Sequence, residues 1–95
     1  LVIPKKHVHD IHHADSPTYA AVASMAKDVA DLLQIKLSSE GTTVFQMSRE
    51  AGWQTVFHLH MHVIPRWPED GLHKPWDIAP ASEDFLNDVL QQIQK

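Results

Sequence analysis

Three histidines, His58, His60 and His62, alternate with Leu59 and Met61 in the run VFHLHMHVIP (residues 56–65). On a helix, residues two apart lie about 200° around the axis and their rings diverge. On a strand they share a face, about 6.6 Å apart. Phe57, Leu59, Met61 and Val63 are all apolar and take the other face. The pattern predicts a strand with a hydrophobic back and a three-imidazole front. Two chemistries suit that front. A His-x-His pair on a strand can give two ligands to a zinc ion, with a third from elsewhere. A catalytic zinc commonly needs a carboxylate nearby, and the nearest acids in sequence, Glu50 and Glu69, fall in the flanking turns. The other chemistry needs no metal. A neutral imidazole is a nucleophile toward phosphorus, and neighbouring imidazoles can donate to phosphate oxygens. With an ordinary pKa near 6.5, both protonation states are within reach at neutral pH. The residues favour phosphate chemistry, with a metal site on His58, His60 and His62 as the alternative.

The chain that must position them has 95 residues, enough for one domain spanning 1–95. Its hydrophobic fraction of 43% and charged fraction of 21% suit a soluble globular fold. No apolar run approaches the roughly 20 residues of a membrane span. No secretory signal pattern opens the chain. The first residue is Leu1, and the chain begins on an apolar, strand-like LVIP, so N-terminal sequence is expected to be missing. A net charge of -4 without a basic stripe argues against non-specific nucleic-acid binding. Cysteine is absent, which removes disulfides and cysteine zinc cages and fits a reducing compartment. Eight histidines are the unusual entry in the composition; beyond the triad they are His7, His9, His12, His13 and His73.

LVIP reads as the tail of a strand ending at Pro4, and KKHVHDIHHAD as a polar connection. Ser16-Pro17 starts a helix, with Ser capping and Pro in the first turn. Val22, Ala26, Val29, Leu33 and Leu37 form its buried face. Thr42 to Ser48 is a strand, REAGW a turn, and residues 55–64 a second strand, the two pairing as a hairpin. Residues 65–81 hold four of the six prolines and fit no regular element; loops of this kind are usually functional or partner-binding. Ser82 caps a last helix carrying Phe85, Leu86, Val89, Leu90 and Ile93 on one side, with acids at its start and Lys95 at its end. His9, His12 and His13 crowd one surface loop, with opportunistic metal binding as the alternative. Lys5 and Lys6 read as solvated.

HLHMHVI matches His-φ-His-φ-His-φ-φ, where φ is apolar, and so resembles the signature of the histidine triad (HIT) superfamily. QTVFH (Gln54 to His58) resembles the family's Gly-Gln-Ser/Thr-Val-x-His lead-in. LVIPKKH (Leu1 to His7) resembles its Leu-Val-Ile-Pro-Lys-x-His segment. The three come in the family's order with a helix between, and the likeness covers nearly the whole chain. It is greatest to bacterial HIT hydrolases, which are similar to the nucleotide phosphoramidase branch.

The resemblance implies an α+β, HIT-like fold: an antiparallel sheet, one long helix and a C-terminal helix, with the family's N-terminal segment missing. It implies a cytoplasmic homodimer acting on a purine, AMP-like nucleotide, with no cofactor and no nucleic-acid or membrane partner. His60 matches the residue that attacks the α-phosphorus and forms a nucleotidyl-histidine intermediate. His62 matches the phosphate-binding third position. His58 matches the first, which orients the site partly through its carbonyl. Gln54 and Thr55 match lead-in residues that contact phosphate or leaving group. Gln46 stands where relatives place a phosphate-facing Asn or Gln, and His7 matches a supporting histidine. Trp53 stands between Gly52 and Gln54, either replacing the lead-in glycine or inserted beside it; insertion would bring Gln46 into register. Bacterial relatives hold a structural zinc with an N-terminal Cys-x-x-Cys and histidines matching His7 and His58; without cysteines, no metal is expected here. Trp67 and Trp76 either close over the site, meet a second subunit or pack in the interior. Dinucleoside polyphosphate hydrolysis is the alternative reaction, and a non-catalytic nucleotide-binding or metal-binding module the alternative of another class.

Overall fold

In the computed structural model of this protein, which describes residues 1–72 and 90–91, the longest element is helix α1, Ser16–Leu37. Its start differs from expectation by one residue. Asp15, not Ser16, is the N-cap: its backbone is extended, and Oδ1 accepts from the Thr18 N–H at 2.7 Å. Ser16 and Pro17 then fill the first turn, where proline loses no hydrogen bond. At the other end Ser38 takes a left-handed conformation, φ 53° and ψ 41°, and stops the helix. The Trp67 indole N–H donates to the Ser38 carbonyl at 3.1 Å, so this tryptophan seals a helix terminus. Val22, Ala26, Leu33 and Leu37 are buried as their spacing predicts.

Strand β1 (Gly41–Gln46) pairs antiparallel with β2 (Met61–Arg66), in a register running from Gly41↔Arg66 to Gln46↔Met61. The hairpin is the expected one, but its bounds move. β1 ends at Gln46 instead of Ser48, and β2 begins at Met61 instead of residue 55 and runs on to Arg66. Beyond Gln46 the chain turns away through a short 3-10 turn, Glu50–Gly52, leaving residues 55–60 without a β1 partner. They are tied instead to the N-terminal segment. The Leu59 N–H donates to the Val8 carbonyl at 2.7 Å, and Val2 and Met61 exchange two backbone bonds of 2.9 Å. LVIP therefore contributes one bridge at Val2 in place of a longer strand.

Val2, Val8, Val22, Ala26, Leu59 and Met61 make the core, and Leu59 is 0% exposed. The apolar back of the triad segment thus holds at Leu59 and Met61, with Val63 packed at its margin. Phe57 departs from it: it is 45% exposed and stacks on His9, with ring centroids 5.0 Å apart. After β2, Asp70 gathers Arg66 Nε at 2.7 Å and the Trp67 and Leu72 N–H groups at 3.1 Å each, closing the next turn. The fold is a small α+β arrangement of a long helix on an antiparallel two-stranded sheet. Of the expected C-terminal helix only Leu90 and Gln91 are described, both helical, while Trp76 and His73 lie outside the described residues. Among the described residues no helix is long and apolar enough to cross a membrane.

Candidate active site

His60 is half-buried, and its Nδ1 lies 2.8 Å from the backbone carbonyl of His58. A carbonyl oxygen can only accept, so Nδ1 carries the proton. In the neutral ring Nε2 then holds a free lone pair. The neighbouring backbone thereby fixes the tautomer that a nucleophile needs.

The His58 ring itself points elsewhere. Its Nε2 lies 3.1 Å from the Pro4 carbonyl and must donate to it. In the neutral ring its Nδ1 is then an acceptor, filled by His7 Nδ1 at 3.0 Å. His7 therefore reaches the triad segment through His58. The predicted front of three convergent imidazoles is corrected accordingly: His60 and His62 meet edge to face, with centroids 5.0 Å apart, whereas His58 contributes its carbonyl inward and turns its ring to Pro4 and His7. Only His62 lies within a strand. His58 and His60 precede β2, because the β1 ladder ends opposite Met61.

His62 is flanked by Phe45, its cross-strand partner, which stacks on it at 4.2 Å and 14°. Burial pushes the His62 imidazole below its ordinary pKa, with smaller contributions from His60 and the N-terminal charge. Its neutral form is therefore favoured, still able to donate one N–H. Sequence spacing gave no sign of Phe45, because the register that places it against His62 is a property of the folded hairpin.

The polar candidates divide. Gln54 is buried, at 3% exposure, and its amide is fully engaged by backbone. Nε2 donates to the carbonyls of His9 (2.7 Å) and Val56 (3.1 Å), and Oε1 accepts from the Arg49 N–H at 2.5 Å. It braces the lead-in, where a direct phosphate contact was expected. Gln46 is paired with Met61, on the face opposite Phe45 and His62, and its Nε2 donates to Met47 O and Ser48 Oγ. That parity takes it off the triad face. Thr55 is exposed. Trp53 adopts φ 72° and ψ 20°, a left-handed conformation that glycine takes without strain, so its geometry fits replacement of the lead-in glycine better than insertion. Arg49 stands at φ 66° and ψ 163°, a region almost reserved for glycine. Two residues that spacing did not single out, Asp10 and Arg49, join the loop before α1 to this turn through a 3.2 Å contact.

A model of the HIT domain matches residues 1–69. The chain belongs to the HIT family. An uncharacterized HIT-like protein of Mycoplasma genitalium is 36% identical over 95 residues, covering all of this chain and 67% of its own length. An adenosine 5'-monophosphoramidase of Schizosaccharomyces pombe is 29% identical over 94 residues, covering 98% of this chain and 68% of its own. The crystal structure of a zinc-bound histidine triad family protein from Mycobacterium smegmatis is similar at a TM-score of 0.74 and 28% identity, over 97% of this chain and 66% of that one. A HIT-like protein involved in cell-cycle regulation from Bartonella henselae gives 0.73 and 32%, over 97% and 65%. This HIT chain spans 67%, 49% and 63% of three of the curated relatives it matches.

By the HIT resemblance, bacterial relatives hold a structural zinc with histidines matching His7 and His58, and none was expected here without the accompanying cysteines. The Nδ1 atoms of His7 and His58 do face one another at 3.0 Å, but they are two donors where a structural zinc takes four. The described residues add no third ligand there.

Proposed function

We propose that this chain carries the phosphate-handling part of a nucleotide hydrolase or transferase that cleaves at the α-phosphate of an adenylate-type phosphoramidate. The observation that carries the reading is the 2.8 Å bond from His60 Nδ1 to the His58 carbonyl, which leaves Nε2 as the free nitrogen. In the first step Nε2 attacks phosphorus, a new P–N bond forms, and the bond to the leaving amine breaks as that amine takes up a proton. The attacking ring gains positive charge, and its Nδ1–H bond to the carbonyl strengthens as it does so. In the second step water adds to the same phosphorus, loses its proton and releases AMP, restoring the lone pair on Nε2. Splitting the displacement makes each half easier.

His62 is the donor to a phosphate oxygen in this scheme, and Thr55 offers an exposed hydroxyl. Gln54 acts as a positioning residue through the backbone at His9, Val56 and Arg49. Gln46 has no part in the phosphate site. His7 supports His58. A purine nucleotide as substrate is favoured by the similarity to a protein named as an adenosine 5'-monophosphoramidase; the homodimer and cytoplasmic setting come with the family resemblance. His60→Asn or His60→Gly should abolish turnover of adenosine phosphoramidate while AMP binding, followed by calorimetry, persists. Undiminished turnover in either variant would remove His60 as nucleophile.

A further inference from the structure

A second cluster of chemistry-bearing side chains lies in the loop before α1, and the triad chemistry does not use it. Residues 10–13 form a turn in which His13 N and Ala14 N both donate to the Asp10 carbonyl, at 3.3 and 3.2 Å. That turn brings His13 back beside His9, with ring centroids 5.6 Å apart. Between them sits the Asp10 carboxylate, 0% exposed. His13 Nδ1 lies 2.8 Å from Oδ1, and His9 Nδ1 lies 3.1 Å from Oδ2. Two imidazole nitrogens and a carboxylate thus fall within 4.8 Å of one another.

We infer that His9, Asp10 and His13 form a binding site for one divalent ion of the zinc class, sharing no residue with the triad. The donor set is two nitrogens and one oxygen, which is borderline-soft and suits zinc or cobalt better than calcium or magnesium. Three protein ligands leave a fourth position for water. In the neutral rings the Nδ1 protons now donate to Asp10; binding moves each proton to Nε2 through solvent, which reaches both rings, so no net proton is released. The ligands are already held in place. The His9 ring is stacked on Phe57 and its carbonyl accepts from Gln54 Nε2 at 2.7 Å. Asp10 Oδ1 accepts the His13 N–H at 3.0 Å, which sets the carboxylate plane. Supports of this kind orient ligands at metal sites. Arg49 Nε, 3.2 Å from Oδ2, competes for the carboxylate, but its side chain is 58% exposed, and the two ring N–H donors that withdraw on binding free one lone pair on each carboxylate oxygen for the ion.

The test is a zinc titration of the chelator-treated 95-residue chain by calorimetry, together with nitrogen NMR of the histidine rings. The expected result is one ion per chain and a large shift of the His9 and His13 Nδ1 resonances in the unaltered protein. His9→Gln and His13→Gln should each weaken binding by about tenfold or more, whereas His7→Gln and His60→Asn should leave it in place. No zinc uptake, unmoved His9 and His13 nitrogens, or a zinc affinity lost with His7 or His60 in place of His13, would each overturn the assignment. The NMR readout on the unaltered chain does not depend on any variant folding, and none of these outcomes bears on the nucleophile at His60.

Discussion

The sharpest consequence of the geometry is an asymmetry between His58 and its neighbour. His58 fixes the His60 tautomer through its main-chain carbonyl, which survives any side-chain substitution. Its ring makes two other hydrogen bonds, to Pro4 and to His7. Replacing His58 by alanine removes those two, each contributing about 0.5–1.5 kcal/mol net. If the whole ~1–3 kcal/mol appeared in the barrier, the rate would fall roughly 5- to 160-fold, at about 1.4 kcal/mol per tenfold. Removing the proposed nucleophile in His60→Asn should instead lower kcat/KM by about 10⁴-fold or more. The assay is single-turnover hydrolysis of adenosine phosphoramidate with enzyme in excess, comparing His58→Ala, His58→Gln and His60→Asn. Glutamine can still donate to the Pro4 carbonyl, so His58→Gln should recover part of the loss. If His58→Ala were as inactive as His60→Asn while still folded, the ring itself would be reacting, and the carbonyl account would be refuted.

Three further outcomes are expected. His62 is held below the ordinary histidine value by burial, so its neutral form stabilises the fold; that contribution is whole above about pH 6.5 and declines as pH falls toward the lowered value. Urea midpoints taken near neutrality and in mild acid should therefore drop less in His62→Gln than in the unaltered chain, and an equal drop would count against the shift. Leu59, fully buried in the core, should cost about 2–5 kcal/mol as Leu59→Ala and lower Tm by about 8 °C or more; a smaller change would mean the segment collapses around the cavity. Arg49→Gly should relieve backbone strain of about 1–3 kcal/mol against a glycine entropy cost of about 0.5–1 kcal/mol, giving a midpoint equal to or above the original; a clear loss would show the Arg49–Asp10 contact to outweigh the strain.

Much of the architecture could be read from the chain itself. Helical spacing placed α1 and its buried face, because a 3.6-residue period leaves a mark that local context does not erase. β-branched and apolar runs placed the hairpin, though not its ends, since a strand stops where its partner turns away. The likeness of HLHMH and its lead-in to the HIT signature pointed to His60, and its alternation foretold the burial of Leu59 and Met61. What spacing could not supply was where each polar group points. Gln54 and Gln46 look alike in sequence, yet one braces three backbone groups and the other sits on the wrong face of a register set only on pairing. His58 and His60 differ by two positions, yet one gives its carbonyl and the other its ring nitrogen. His9, Asp10 and His13 read as a crowded polar loop until a tight turn and a buried carboxylate brought them together. Residue types and periods are local properties, and the sequence determined them. Hydrogen-bond direction, ring tautomer and contact between segments some fifty residues apart, as at His7 and His58, depend on packing, and only the tertiary structure decided them.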